Sequence, residues 1–319
     1  MKKIGILTSG GDGPGMNAAI RSVVRCSLSN GLEVDGIIRG YQGLIDDEVV
    51  PLNHRSVSNI INRGGTILKT ARSKEFMTEE GQKRAVATLK KHAIDALVVV
   101  GGDGSYRGAQ VLFEKYHVPV IGMPGTIDND LFGTDQTIGC HTAVNTALES
   151  IDKIRDTAHS MERIFVIEVM GRNSGYIALE VALGAGAEDV IIPERKFNYD
   201  QLCQNIVQGN KMGKISWMIV TAEGAAKAPD VASTISKMTG LETRFVVLGH
   251  VQRGGTPVGD DRILATRLGA RAVKLIKQGD FGKAVGIWED EINVIDLPKA
   301  CKRENKNVDE YLELIKLLR

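Results

Sequence analysis

Thr126, Asp128 and Asp130 put a hydroxyl and two carboxylates at alternate positions of Pro-Gly-Thr-Ile-Asp-Asn-Asp, residues 124–130, directly after the apolar run 118–123. Alternate residues of an extended segment project to one side, and a strand's carboxyl end is where open α/β sheets keep their ligands. Two acids beside a hydroxyl suit metal-ion or proton-transfer chemistry. Taken alone the stretch also reads as an acidic turn, because Asp and Asn bond their own backbone. A second signal is the tetrapeptide Gly-Gly-Asp-Gly, present at 10–13 and again at 101–104. Each copy follows an apolar run and precedes a helical pattern, so its backbone N–H groups and the helix N-terminus can converge on an anion. Neither copy is a Walker loop, and Met16 stands where G-x-G-x-x-G would need its last glycine. Asp103, in the second loop, reads as a carboxylate on the Mg²⁺ side of a polyphosphate. Arg72, Arg163, Arg172, Arg244 and Arg253 lie near element ends. Each by itself is a solvated charge, but together with the loops and acids they form the inventory of phosphoryl transfer.

The elements that must position these residues alternate strand and helix. Strands are expected at 3–7, 33–38, 95–100, 118–123, 163–168, 190–192, 216–222, 244–248 and 284–287, with a closing helix at 309–318. A short helix is expected near 56–62, and residues 40–43 read as a glycine-punctuated loop. Repeated βα units imply an α/β fold of two lobes, with largely parallel sheets covered by helices on both faces. No Pro- or Ser-rich linker separates the lobes, so the chain is expected to cross between them more than once.

Composition narrows the partners. The chain has 319 residues, 43% hydrophobic and 25% charged, with a net charge of +1 and no long basic run, which disfavours nucleic acid or a membrane surface as the main partner. Cys26, Cys140, Cys203 and Cys301 lack metal-ligand spacing. With no signal-peptide or membrane-spanning pattern, a cytoplasmic location is expected.

Gly10-Gly11-Asp12, Thr-Ala-Arg72, Gly101-Gly102-Asp103-Gly104-Ser105, the stretch 124–130, Met170-Gly171-Arg172 and Leu248-Gly249-His250-Val251-Gln252-Arg253-Gly254-Gly255 together resemble bacterial ATP-dependent 6-phosphofructokinases, from residue 1 to about 290. The resemblance implies an ATP-binding lobe at 1–138 and 251–302 and a fructose 6-phosphate-binding lobe at 139–250 and 303–319. It implies γ-phosphoryl transfer from MgATP to the sugar 1-hydroxyl, with Asp128 as base and Arg72, Thr126 and Arg172 assisting. The nucleotide would be held by Gly11, Tyr41, Arg72, Ser73, Gly102, Asp103, Gly104, Ser105 and Gly108, with Asp103 on Mg²⁺. The sugar phosphate would be held by Thr126, Asp128, Asp130, Arg163, Met170, Gly171, Arg172, Glu223, Arg244, His250 and Arg253. In a homotetramer, Arg163 and Arg244 would come from a neighbouring subunit.

Three other readings are weaker. A pyrophosphate-dependent relative would carry an acidic residue in place of Gly104 and a lysine in place of Gly125. A silent regulatory subunit would lack some of Arg72, Asp103, Thr126, Asp128 or Arg172, and a dinucleotide oxidoreductase would need G-x-G-x-x-G. The resemblance also implies an effector site for ADP or phosphoenolpyruvate at Arg21, Arg25, Arg55, Arg155, Glu188 and Lys214. His54, Asn59, Met212 and Ile215 depart from the family pattern there. Each lost charge-assisted bond to phosphate is worth roughly 1.5–3 kcal/mol, so weak effector binding is expected.

Overall fold

The computed structural model describes residues 1–302 and 308–319. In chain order the elements are β1 (Lys3–Ser9), α1 (Met16–Ser29), β2 (Glu33–Ile37), α2 (Gly40–Ile45), β3 (Val49–Leu52), α3 (Glu79–Lys91), β4 (Ala96–Gly101), α4 (Asp103–Tyr116) and β5 (Val120–Pro124). Then follow α5 (Cys140–Ser160), β6 (Ile164–Val169), α6 (Tyr176–Ala185), β7 (Asp189–Ile191), α7 (Tyr199–Lys211), β8 (Trp217–Ala222), α8 (Ala228–Thr239) and β9 (Thr243–Val247). The chain closes with α9 (Gly259–Gln278), β10 (Lys283–Trp288), β11 (Glu291–Asp296), α10 (Leu297–Ala300) and α11 (Asp309–Leu317).

These elements form two compact units, Met1–Thr142 with residues 253–302, and Ala143–Gln252 with residues 308–319. The sequence suggested breaks at 138/139 and 250/251. The first turn of α5 goes with the first unit because its backbone is hydrogen-bonded to Asp261 of α9. The suggested break at 302/303 adjoins residues 303–307, which lie outside the described residues.

The first unit holds a seven-stranded sheet in the order β11-β10-β5-β4-β1-β2-β3, parallel except for its two edge strands, β3 and β11, which run antiparallel to their neighbours. The second holds a four-stranded parallel sheet, β7-β8-β6-β9. In β4 every residue is buried, and the period-2 alternation of strands divides its side chains between two cores. Val98 and Val100 face the core that contains Ile4, Ile20 and Leu268, while Leu97 and Val99 face the one with Leu7, Leu89 and Leu112. A strand covered on both faces reads as a continuous apolar run, as this one does.

Two local expectations are corrected. Residues 56–62 form turns and no helix. The Asn53 side chain accepts the N–H groups of Arg55 and Ser56 at 2.8 and 3.1 Å, and Asn59 takes a left-handed φ of 56°, so the local bonds compete with helix formation. Conversely, the stretch at 40–43 opens α2. The antiparallel edge strands β3 and β11 also carried too little apolar signal to be recognised, since their residues are mostly half-exposed or exposed.

In the second unit, Asp189 at the start of β7 accepts the Trp217 indole N–H at 3.0 Å and pairs with Arg319. Burial nevertheless pushes its carboxyl up to about 6, against the pull of Arg319 and Trp217. A carboxyl raised by folding binds its proton more tightly in the folded chain. Its contribution to stability is complete below the ordinary carboxylate range and is lost as pH rises through about 6, a change of roughly 1–3 kcal/mol. The Asp189→Asn variant cannot titrate at this position. Its thermal midpoint relative to the unaltered chain should therefore climb by a few degrees between pH 4 and pH 7, and a difference that stayed flat with pH would refute the assignment.

Candidate active site

Strand register brings the chemistry together in the first unit. Ser9 of β1 lies opposite Gly101 of β4, and Gly101 lies opposite Pro124 of β5. Three parallel strands therefore end at one level, and the loops at 10–15, 101–105 and 124–130 start side by side. A Cβ on Gly102 would stand 3.4 Å from the Thr126 Cβ, one on Gly10 would stand 3.5 Å from the Ser105 Oγ, and one on Gly13 would stand 3.5 Å from Ile127 Cγ2. The two Gly-Gly-Asp-Gly loops and the acidic stretch thus line a single edge, with the N-termini of α1 and α4 beneath them. Such ends carry unpaired N–H groups and partial positive charge.

Asp103 is the first residue of α4, and one of its oxygens receives a 2.9 Å bond from Arg107 one turn along. Among the described residues, no group of three or more His, Cys, Asp or Glu side chains could hold a metal ion by itself. One carboxylate at a helix start, beside two glycine loops with N–H groups to offer, instead fits a magnesium ion that would arrive with phosphates and keep several waters. Asp128 is 2% exposed, and its backbone N–H donates to Thr126 Oγ1 at 3.2 Å. Asn129 takes a left-handed φ of 49° and donates from Nδ2 to the Asp135 carbonyl at 2.9 Å, which sets the turn between the two acids.

Other residues named from the sequence have structural tasks. Tyr41 is buried beneath α4, where it stacks on Phe76 with ring centroids 4.2 Å apart and donates to the Ser105 carbonyl at 2.6 Å. Burial raises its phenol well above the ordinary value. Gly108 is glycine because a Cβ would meet that ring at 2.7 Å. Ser73 donates to Gln42 Oε1 at 2.7 Å and accepts the Phe76 N–H, joining α2 to the 3-10 turn Glu75–Met77. Arg72 is exposed just ahead of that turn. Arg253 donates from Nη1 to the Asp12 carbonyl at 3.0 Å, and a Cβ on Gly11 would come within 2.5 Å of that nitrogen. Nothing in the sequence signalled this pairing across 241 residues.

In the second unit Met170, Gly171, Arg172 and Glu223 gather at the carboxyl ends of β6 and β8, whereas Arg163 and Arg244 lie at the amino ends of β6 and β9, the opposite edge of that sheet. Gly171 (φ 140°) and Arg172 (φ 52°) both take the left-handed region, which is unusual for an arginine. The turn is held by Glu223 Oε1, which accepts the Arg172 N–H at 3.0 Å, and by Gly224, where a Cβ would collide with the Arg172 carbonyl at 1.7 Å. Met170 is buried, and its N–H donates to the fully buried Gln252 at 2.8 Å. Neither Gly224 nor Gln252 was singled out from the sequence, although Gln252 lies within the His250–Arg253 motif. Glu242 pairs with Arg163, at 3.0 Å, and with Arg244, and these two guanidinium groups hold its carboxyl below the usual range. His250 is exposed in the 3-10 turn Gly249–Arg253.

A family model described as phosphofructokinase matches residues 3–276. Over 318 residues the chain is 54% identical to the ATP-dependent 6-phosphofructokinase of Clostridium tetani, covering 100% of this chain and 99% of the relative. It is 52% identical over 319 residues to the protein of the same description from Thermoanaerobacter sp., with the same coverage. Among solved structures, phosphofructokinase from Saccharomyces cerevisiae superposes with a TM-score of 0.89 at 36% identity, covering 100% of this chain and 48% of that one. The chain thus spans about half the length of the yeast polypeptide. A pyrophosphate-dependent phosphofructokinase from Marinobacter aquaeolei has a TM-score of 0.85 at 22% identity, covering 99% of this chain and 91% of that one, and shares the fold.

The glycines of the two loops should tolerate side chains differently. Gly11→Ala forces the Arg253 guanidinium off the Asp12 carbonyl and should cost roughly 1–3 kcal/mol. At Gly104, in the first turn of α4, a Cβ would meet nothing within 4 Å, so Gly104→Ala should be neutral or stabilising by up to about 1 kcal/mol. Thermal unfolding of the two variants side by side checks this, and equal midpoints would refute it.

Proposed function

Since the chain belongs to the phosphofructokinase family, we propose the following division of labour among its residues for the reaction it catalyses, transfer of the γ-phosphoryl group of ATP to the 1-hydroxyl of fructose 6-phosphate. The products are fructose 1,6-bisphosphate and ADP, and the step belongs to glycolysis. The observation that carries the assignment is the common level at which Ser9, Gly101 and Pro124 end their strands, because it sets two anion-binding loops beside Asp128.

The loop N–H groups around Gly11, Gly102, Gly104 and Ser105 cradle the nucleotide phosphates, with Arg72 added from the segment before the 3-10 turn. Asp103 would hold the magnesium ion that accompanies the nucleotide, and that ion would supply positive charge against the phosphates. Asp128 accepts the proton of the sugar 1-hydroxyl as that oxygen attacks the γ-phosphorus and the bond to ADP breaks. The bond from its N–H to Thr126 keeps the stretch in register for this. Arg172, on its strained turn, and Arg72 stabilise the charge that spreads over the transferred group. Asp130, Met170, Gly171, Glu223, His250 and Arg253 serve the sugar phosphate, together with Arg163 and Arg244 of the partner subunit in the assembly proposed below. Open space at Gly104 supports a bulky nucleoside as donor. At Gly125, a Cβ would stand 2.8 Å from Val100 Cγ1, which leaves no ready room for a lysine.

Assembly as a homotetramer belongs to the same reading. Its support is β9, the open edge of the second sheet, where Phe245 and Val247 are 51% and 50% exposed beside Arg244. Exposed apolar edge strands invite pairing with another chain. No helix among the described residues is long and apolar enough to cross a membrane.

The test of the chemistry is Asp128→Asn. With MgATP and fructose 6-phosphate its turnover should fall by roughly 10²–10⁴ while substrate affinities are largely kept, and the unaltered chain should show no comparable rate with pyrophosphate. Near-normal turnover of the variant would overturn the base assignment.

Regulation by phosphoenolpyruvate or ADP is proposed to be weak. Glu188 spends one oxygen on Lys214, at 3.0 Å, and the other on the Met218 N–H, at 2.6 Å, while Arg155 is engaged by the carbonyls of Ala185 and Gly186. Met212 is 80% exposed and offers phosphate no donor. Arg21, Arg25 and Arg55 remain as cations for an effector in the first unit. Fructose 6-phosphate saturation curves with and without phosphoenolpyruvate should nearly coincide, and a large shift to sigmoidal, low-affinity behaviour would refute weak regulation.

A further inference from the structure

We propose that Asp261, which lies 133 positions beyond Asp128 in the numbering, is the positioning residue that keeps the Asp128 carboxylate in place, acting through the segment 137–142. Asp261 sits in the first turn of α9 and is 0% exposed. Its Oδ1 accepts the Gly139 N–H at 2.8 Å, and its Oδ2 accepts both the N–H of Thr142, at 2.8 Å, and the Thr142 hydroxyl proton. The same hydroxyl accepts the Val258 N–H at 3.1 Å, so its one proton is committed to Asp261. Gly139 and Thr142 flank the start of α5, and the carboxylate satisfies N–H groups that a helix start leaves unpaired. Here the cap is supplied by a different helix.

From this anchor the bonds run back to residues 124–127, the part of the acidic stretch that leads into Asp128. Ile138 donates its N–H to the Pro124 carbonyl at 2.8 Å and forms an isolated parallel bridge with Gly125. Thr137 Oγ1 donates to the Thr126 carbonyl at 2.7 Å. Gly139 packs so closely that a Cβ there would meet the Pro14 carbonyl at 3.0 Å and Ile127 Cγ2 at 3.3 Å. A Cβ on Gly15 would meet Ile138 Cγ2 at 2.7 Å and the Asp261 Cβ at 3.5 Å. One buried carboxylate therefore clamps the segment that touches both the first glycine loop and the stretch carrying Asp128.

The three accepted bonds offset the cost of enclosing the carboxylate, so Asp261 also steadies the fold. Its further return is geometric, since displacement of a reacting group by about 1 Å can cost roughly 100-fold in rate. The inference rests on Asp128 being the base, and the experiment separates the two claims.

Asp261→Asn keeps the shape but turns an amide N–H₂ toward donors, so one of the backbone bonds must be lost. Turnover is measured per folded molecule, from circular dichroism at a temperature well below the midpoint, with saturating MgATP and fructose 6-phosphate. It should fall roughly 10–100-fold with both KM values within about threefold of the unaltered chain. In an Asp128→Asn background the same change should cost nothing further, because a residue that acts only through another shows no additional loss. Thr142→Val removes only the bridging hydroxyl and should reproduce a smaller loss with the same non-additivity, while Thr142→Ser should restore turnover. This pair decides the matter if Asp261→Asn does not fold. Turnover per folded molecule within twofold of the unaltered chain, or equal losses in both backgrounds, would overturn the positioning role and leave Asp128 as base. Near-normal turnover of Asp128→Asn alone would overturn the base assignment and this inference with it.

Discussion

Parallel pairing of β5, β4 and β1 in a shared register is the constraint on which the active site depends. Because Pro124, Gly101 and Ser9 end at one level, each strand hands its chain to a loop at the same edge. Each loop must then turn back toward a helix that covers the sheet. The covering helices bury the apolar faces of β4 on both sides, and the same geometry aims the N-termini of α1 and α4 at the edge where the loops lie. The buried core and the unpaired N–H groups at that edge thus have one structural cause. Had β4 been an antiparallel strand, its loop would lie at the opposite edge.

Within that frame the acids differ by surroundings more than by type. Asp103 lies at a helix start beside Arg107, suited to a cation shared with phosphate oxygens. Asp128 is nearly buried and held at its backbone by Thr126, suited to proton transfer. Asp261 is fully buried, and burial pushes its carboxyl up against the opposing hydrogen bonds from Thr142 and Gly139. Its oxygens are taken by the Gly139 and Thr142 N–H groups and the Thr142 hydroxyl, beside the stretch that carries Asp128. Glu223 plays a comparable part in the second unit, fixing the left-handed turn at Arg172 through a backbone N–H.

The glycines show a similar division. Gly11 leaves room for the Arg253 guanidinium, Gly108 for the Tyr41 ring, and Gly224 for the Arg172 carbonyl, whereas Gly104 borders open space. The first three are fixed by packing inside the protein. Only the last has room for a bulky ligand group beside it, which is why donor size is the natural reading of that position.

The amino-acid sequence by itself determined the alternation of strands and helices, the two glycine loops and the acidic stretch after β5, because each depends on neighbours within a few residues: apolar runs, turn-forming residues and a following helix start. Only the tertiary structure decided which distant groups complete them. The bond from Arg253 to the Asp12 carbonyl spans 241 residues, and those from Gly139 and Thr142 to Asp261 span 122 and 119. No local pattern encodes such pairs, since an aspartate in the first turn of a helix looks the same whether it faces water or caps another helix. The edge strands β3 and β11 escaped for a related reason, since their pairing outweighs weak local preferences only once the neighbouring strand is in place. The turns at 56–62 are a local matter, where Asn53 bonds to the N–H groups of Arg55 and Ser56 outweigh the helical pattern.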